Sequence, residues 1–283
     1  MKIAVTGSAG FTGLKLVNKL ESFGHEIVKL DITEGIDITD FNKLNDIPEF
    51  EVIYHLAAKS FVPDSYKNPL GFYQMNFNST LNTLELAKKF NAKYVFVSSY
   101  VYGTPQYLPI DENHPTTSFN PYADTKILGE NLCRSYNKFF NMKVMIVRPF
   151  NIYGPNQTNN FLVPFIVNQA VSGKVELSDP RPKRDLIFID DLVELYARLA
   201  DYNKSDFEIF NAGFGKSYSV KEIVDSLICN FPNKIEVNFL NIERPNEVMD
   251  TVAKVTKAKR LLDWEPKVDM NEGLYRIYSS LKK

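Results

Sequence analysis

Near its start the chain runs Lys2-Ile3-Ala4-Val5-Thr6 directly into Gly7-Ser8-Ala9-Gly10-Phe11-Thr12-Gly13 and then into a helical pattern. The apolar run reads as a buried strand. Glycines in this spacing let the chain turn tightly, let the backbone approach a pyrophosphate and let the following helix pack on the strand. A bound anion then lies at the positive N-terminus of that helix. A second apolar run over 26–30 ends at Asp31, near the offset at which an acidic residue receives a ribose. An aspartate there accepts from both ribose hydroxyls and repels a 2′-phosphate, which favours NAD(H) and leaves NADP(H) possible. The glycines alone would also fit a plain strand-to-helix turn. The strand before them, the helix after them and Asp31 together point to a dinucleotide site built from Gly7, Ala9, Gly10, Phe11, Thr12, Gly13 and Asp31.

The first half repeats this rhythm. Apolar runs at 3–6, 26–30, 52–56, 94–98 and 144–147 alternate with helical stretches at 12–23, 72–90 and 122–140. That alternation predicts an α/β fold with a doubly wound parallel sheet, its strands buried on both faces. Only about twenty residues separate Asp31 from Val52. They read as a short third strand over 35–40 and a helix over 41–47, a trimmed crossover. After about residue 155 the alternation loosens, with helical patterns at 162–171, 191–200, 220–229 and 256–262 and short strands at 207–210 and 235–239. The expected organisation is a dinucleotide-binding region over 1–155 and a smaller mixed lobe over 156–283, interleaved rather than independent.

Composition narrows the function. The 283 residues carry 33 Lys and Arg against 34 Asp and Glu, a net charge of −1 that argues against a nucleic-acid binder. Cys133 and Cys229 stand alone and form neither a metal spacing nor a disulfide framework, as in a reducing compartment. No run is long and apolar enough to span a membrane, and the first apolar run is too short for a secretory signal. A cytoplasmic protein without a membrane partner or a metal is expected. The acidic run Asp37, Asp40, Asp46 reads as a solvated edge, and His55, ending a strand, as a structural histidine.

Pro121-Tyr122-Ala123-Asp124-Thr125-Lys126 opens a helix and sets Tyr122 and Lys126 one turn apart on one face. A phenol is a poor base at neutral pH. A nearby ammonium and a nicotinamide charge would favour the phenolate. Ser98, ending the strand 94–98, is placed to polarise a substrate oxygen.

With these residues the chain resembles the extended short-chain dehydrogenase/reductase superfamily, in its nucleotide-sugar epimerase/dehydratase branch. The resemblance covers nearly the whole chain. It rests on the glycine loop, His55-Leu56-Ala57-Ala58, Ser98-Ser99-Tyr100-Val101-Tyr102-Gly103 and Tyr122 with Lys126. It continues through Arg148-Pro149-Phe150-Asn151-Ile152-Tyr153-Gly154-Pro155, Arg184-Asp185 before Asp190-Asp191, Arg244-Pro245 and Leu262-Asp263-Trp264-Glu265-Pro266. The resemblance implies that Tyr122 is the acid/base, that Lys126 holds the nicotinamide ribose and that Ser98, three before Val101, binds the reacting oxygen. Asp37 and Ile38 would lie near the adenine, and Leu56, Ala57, Ala58 and Pro149 would line the cofactor cleft. Ser99 would meet the substrate, while Asn151, Arg184 and Arg244 would hold the diphosphate of a nucleotide sugar, a task suited to bidentate arginine.

Three chemistries share this scaffold. Dehydratases carry an Asp-Glu pair where this chain has Ser99-Tyr100, so elimination has no evident acid or base. Reduction of a 4-keto-6-deoxyhexose carried on dTDP or GDP is favoured over 4-epimerisation of a UDP-sugar. The short segment after Asp31 and the stretch Ser60-Phe61-Val62-Pro63-Asp64-Ser65 are similar to those of such reductases. Epimerases remain the alternative, because Asp31 suits the NAD they use. A non-catalytic dinucleotide sensor ranks lowest, since both Tyr122 and Lys126 are present. The helices over 72–90 and 122–140 resemble the pair that forms a homodimer interface in many relatives, with Leu81, Leu84, Leu86 and Ala87 as apolar positions to spare.

Overall fold

A computed structural model describes residues 1–231, 234–244 and 247–281. Pro245 of the Arg244-Pro245 motif lies outside them. In chain order the elements are β1 (Lys2–Thr6), α1 (Phe11–Ser22), β2 (Glu26–Leu30), β3 (Val52–His55), α2 (Val62–Lys67), α3 (Pro69–Lys89), β4 (Lys93–Val97), α4 (Pro121–Phe140) and β5 (Val144–Pro149). There follow β6 (Asn151–Tyr153), α5 (Leu162–Val171), β7 (Lys174–Leu177), β8 (Lys183–Phe188), α6 (Ile189–Asp201), β9 (Phe207–Ala212) and β10 (Ser217–Ser219). The last are α7 (Val220–Asn230), β11 (Glu236–Phe239), α8 (Thr256–Leu262) and α9 (Met270–Ser280).

Six strands pair in parallel in the order β2-β1-β3-β4-β5-β9, the α/β architecture that the alternation predicts. Val52 to His55 and Val144 to Pro149 are buried throughout, as strands covered on both faces must be. On one face α1 and α6 pack together over a core that includes Val5, Leu16, Val95, Leu192 and Phe210. On the other, α3 and α4 pack over Ala4, Ile53, Tyr94, Phe96 and Ile146. Leu84, Leu86 and Ala87 belong to this second core, so they are not spare for a second copy of the chain, whereas Leu81 packs against the core from its margin. They point at the sheet because α3 must cover it.

The expected third strand over 35–40 does not form. Asp37 Oδ1 accepts the amide and hydroxyl of Thr39, and Asn82 Nδ2 donates to the carbonyls of Ile38 and Thr39. Side chains thus take backbone groups that a ladder would need. The helix expected over 41–47 shrinks to one 3₁₀ turn, Phe41–Leu44, capped by Asp40. The link from β2 to β3 is therefore a strandless loop, and β2 becomes the sheet edge.

Past residue 155 the chain returns to the main sheet. β9 lies beside β5, and α6 lies on α1. Two small sheets stand beyond it, β10-β8-β6 and β11-β7. Trp264 anchors the tail: it is fully buried and its Nε1 donates to the Asp191 carbonyl, while Asp191 Oδ2 accepts the amides of Lys267 and Val268. Among the described residues no helix is long and apolar enough to cross a membrane, and no group of His, Cys, Asp and Glu could hold a metal ion. Replacing Trp264 by Ala removes the tail's anchor and should cost about 3–5 kcal/mol. A lowered urea midpoint with unchanged far-ultraviolet dichroism at zero denaturant checks this.

Candidate active site

The glycine loop is shaped by contacts that admit no side chain. Gly7 has φ +65°, and a Cβ there would lie 3.0 Å from the backbone of Ala57. A Cβ on Gly13 would lie 1.9 Å from the Gly7 carbonyl oxygen. The start of α1 therefore rests directly on the loop. No side chain caps this helix, so its first-turn N–H groups are left to a ligand. Asp31 ties the loop to the end of β2: Oδ2 accepts the Ala9 amide at 3.0 Å, and Oδ1 accepts the amide and hydroxyl of Thr33. Burial pushes its carboxyl up, but these donors outweigh it and hold Asp31 below the ordinary carboxylate value.

Thr6 Oγ1 accepts the amides of Leu56 and Ala57, fixing the second wall of the cleft, and shares a hydrogen bond with His55 Nδ1. His55 is buried, and Nε2 lies 3.2 Å from the Thr80 hydroxyl. Burial and, after it, the charge of Lys126 bring its pKa down to about 3, so the ring is neutral. A hollow of about 680 Å³ is bounded by Leu30, Asp31, Asp37, Ile38, Thr39 and Ala58. The residues expected near the adenine, Asp37 and Ile38, thus share a hollow with Asp31. The carboxyl of Asp37 is occupied by Thr39, whose hydroxyl and amide hold it below its ordinary value.

A second cleft of about 610 Å³ gathers the other expected residues except Ala9, which lines neither hollow. Gly7, Gly10, Phe11, Thr12, Gly13, Leu56, Ala57, Ala58 and Pro149 line one part, Ser98, Ser99, Tyr122 and Lys126 another, and Asn151, Arg184 and Arg244 the far end. α4 begins where Asn120 Oδ1 accepts the Ala123 amide and Pro121 fills the first position, which sets Tyr122 in the opening turn. Burial raises the pKa of Tyr122, and a hydrogen bond with Ser99 pulls it partly back. The phenol therefore keeps its proton at neutral pH. Lys126 Nζ donates to the Val97 carbonyl at 2.8 Å and lies 5.2 Å from the Phe96 ring centre. Burial lowers Lys126 to about 8, with Cys133 and Glu130 acting in the opposite direction.

The hydroxyl of Ser98 donates to Glu130 Oε1 at 2.7 Å, and both Ser98 and Ser99 line the cleft beside Tyr122 and Lys126. Sequence reasoning passed over Glu130. Its place was visible, since it lies eight residues after Tyr122 and four after Lys126 on the same helical face. At the far end Arg184 is bound by Glu247 and by the carbonyls of Lys183 and Val248. Asp185 beside it is buried and accepts the amides of Phe214, Gly215 and Ala253, while burial raises its carboxyl to about 7. Glu247, Gln157 and Phe161 also line this end and were not foreseen.

Residues 3–213 match the model of the NAD dependent epimerase/dehydratase family. The chain belongs to that family. A putative UDP-glucose 4-epimerase of Methanocaldococcus jannaschii is 31% identical over 99% of this chain and 98% of its own. The GDP-6-deoxy-D-mannose reductase of Pseudomonas aeruginosa is 26% identical over 98% of this chain and 96% of its own. The structure of RMD from Pseudomonas aeruginosa complexed with NADPH superposes with a TM-score of 0.91 at 26% identity, covering 99% of this chain and 98% of that one. This bears out the resemblance carried by the motifs. The residues at the glycine loop fit the NAD of the family's name: an uncapped helix N-terminus for a pyrophosphate and an ionised carboxylate for a ribose. Asp31→Ala should weaken NADH binding about tenfold or more while sparing NADPH by comparison, read by fluorescence titration of each cofactor.

Proposed function

We propose that this family member transfers hydride at carbon 4 of a nucleotide-activated hexose, reducing an NDP-4-keto-6-deoxyhexose with NADH favoured over NADPH. The observation that carries the reading is the strandless link over residues 31–51. A short segment there is the feature that resembles 4-keto-6-deoxyhexose reductases, and a GDP-6-deoxy-D-mannose reductase is among the similar proteins over nearly the full length. Nothing at the positions of Ser99 and Tyr100 supplies a carboxylate for dehydration, and the Tyr100 hydroxyl is turned onto the Gly103 carbonyl.

A nicotinamide in the cleft would supply the hydride. The protein does the rest. Tyr122, kept protonated by burial, is suited to act as the acid that delivers a proton to the 4-keto oxygen. Ser98, which lines the cleft with Ser99 and Tyr122, would donate to the same oxygen. Lys126, whose ammonium is retained below about pH 8, would steady the phenolate that Tyr122 leaves behind and give donors to a ribose. Arg184, Arg244 and Asn151 would grip the diphosphate, with Arg184 exchanging its Glu247 partner for phosphate oxygens.

Epimerisation is the second reading. It is favoured by Asp31, which selects NAD, and by the relative named as a putative UDP-glucose 4-epimerase. Both readings use the same residues. We also propose that the outer flanks of α3 and α4, with half-buried Phe77, Ile127 and Leu128, pair two copies of the chain. An absorbance assay with NADH and dTDP- or GDP-linked 4-keto-6-deoxyhexoses separates the two chemistries. Stoichiometric loss of the NADH band is expected, and Tyr122→Phe should slow it by about 10²–10⁴ with NADH affinity retained. No net loss, with UDP-glucose converted to its galacto isomer, would make the enzyme an epimerase.

A further inference from the structure

Behind the two arginines of the cleft lies a carboxylate that the proposed chemistry does not itself use. Asp185, on β8, is 0% exposed, and among the described residues no cation pairs with it. β6 covers 186–188 of β8. Beside 183–185 lies the 247–253 segment: the Lys183 amide donates to the Met249 carbonyl and the Asp185 amide to the Thr251 hydroxyl. The carboxylate then fastens both this segment and the β9–β10 turn to the strand. Oδ1 accepts the Phe214 amide at 2.6 Å, and Oδ2 accepts the amides of Gly215 and Ala253 at 2.9 Å each. The packing there is close, since a Cβ on Gly213 would lie 2.5 Å from the Ala253 Cβ and 2.8 Å from Asp185 Oδ2. A buried carboxylate held by amides alone costs more than an apolar residue would, and what it joins is the far end of the cleft.

We propose that Asp185 is a positioning residue for diphosphate binding: by seating the 247–253 segment on β8 it sets Arg244 at the cleft and fixes the carbonyl that orients Arg184. This rests on the reading of Arg184 and Arg244 as the pair that grips the diphosphate. The Val248 carbonyl accepts Arg184 Nη1 at 2.6 Å, so the segment aims the first guanidinium directly. Glu247 follows on the same segment, its amide donating to the Arg244 carbonyl, and both residues line the cleft. Ile110 holds the segment from its other side, accepting the Lys254 amide and donating to the Val252 carbonyl. Asp185 ties it to the strand that itself carries Arg184. The spacing between the two arginines is thereby set, as a ligand of fixed length with charge-assisted hydrogen bonds at both ends requires.

Steady-state kinetics with NADH and the dTDP- or GDP-linked 4-keto-6-deoxyhexose test this. In either rotamer Asp185→Asn turns an amide NH2 onto at least one of the three N–H groups, so the KM for the nucleotide sugar should rise about tenfold. Turnover at saturation should stay within about twofold and NADH affinity should be unchanged, because Tyr122, Lys126 and the glycine loop are untouched. Thr251→Val removes the hydroxyl that accepts the Asp185 amide and leaves the carboxylate whole. It should raise the same KM about threefold, and it reports even if Asp185→Asn fails to fold. Arg244→Ala should raise KM about tenfold or more. Combined with Asp185→Asn it should fall short of the product of the two effects, since both act on one grip. A full product, a loss confined to kcat or NADH binding, or a lowered melting temperature with unchanged KM in Asp185→Asn would overturn the proposal. So would an unchanged KM in Thr251→Val where Asp185→Asn does not fold. An unchanged KM in both Arg184→Ala and Arg244→Ala would instead overturn the underlying reading. Hydrogen exchange then decides the positioning: faster exchange over 247–253 in Asp185→Asn, with the main sheet still protected, supports it, and unaltered exchange contradicts it.

Discussion

The carbonyl oxygen of Gly7 occupies the space in which any side chain on residue 13 would have to sit. This close approach sets the start of α1 on the end of β1, and most of the site follows from it. The loop between them is drawn against Ala57, two residues past the end of β3, which lines the cleft. Asp31, reaching from the neighbouring strand to the Ala9 amide, locks the loop from the other side. The outcome is a helix N-terminus with its N–H groups unused and an ionised carboxylate beside it. Those two features are what a pyrophosphate and a ribose require.

The second organising device is α4. Its opening turn brings Tyr122 to the cleft, and the next two turns bring Lys126 and Glu130 beneath it. Lys126 and Glu130 are buried and Tyr122 is half-buried, and each responds differently. The phenol holds its proton more tightly, the ammonium holds its proton less tightly, and the carboxylate is made tolerable by a bidentate arginine. Burial on one helical face thus prepares an acid and a cation side by side, which suits delivery of a proton to a carbonyl oxygen.

The repetitive parts of the fold were legible from residue pattern alone. α5 and α8 match their expected spans, and every apolar run of the first half became a strand of the main sheet, because strands covered on both faces must be continuously apolar. The cleft residues were legible because glycine loops and Tyr-Lys spacings are local. What was not legible depended on partners distant in sequence. The loop at 35–40 looked like a strand, but Asp37 and Asn82 satisfy its backbone. Leu84 and Leu86 looked available and are core. The Ser98 hydroxyl is held by Glu130, which Arg148 grips in turn, 32 and 50 positions away from Ser98, and no local spacing records it. β6 and β10 have three residues each and are held on either side of β8, and β6 and β8 carry Asn151 and Arg184 to the cleft.

The account's central claim is hydride transfer to carbon 4 of a nucleotide-linked sugar. The most direct test incubates the protein with NADH deuterated at the transferring carbon and a nucleotide-linked 4-keto-6-deoxyhexose, and locates the label in the isolated sugar by nuclear magnetic resonance. The account predicts deuterium at carbon 4 of the 6-deoxyhexose, in step with the cofactor oxidised. A product without deuterium at that carbon, or label retained wholly in the cofactor, would contradict it.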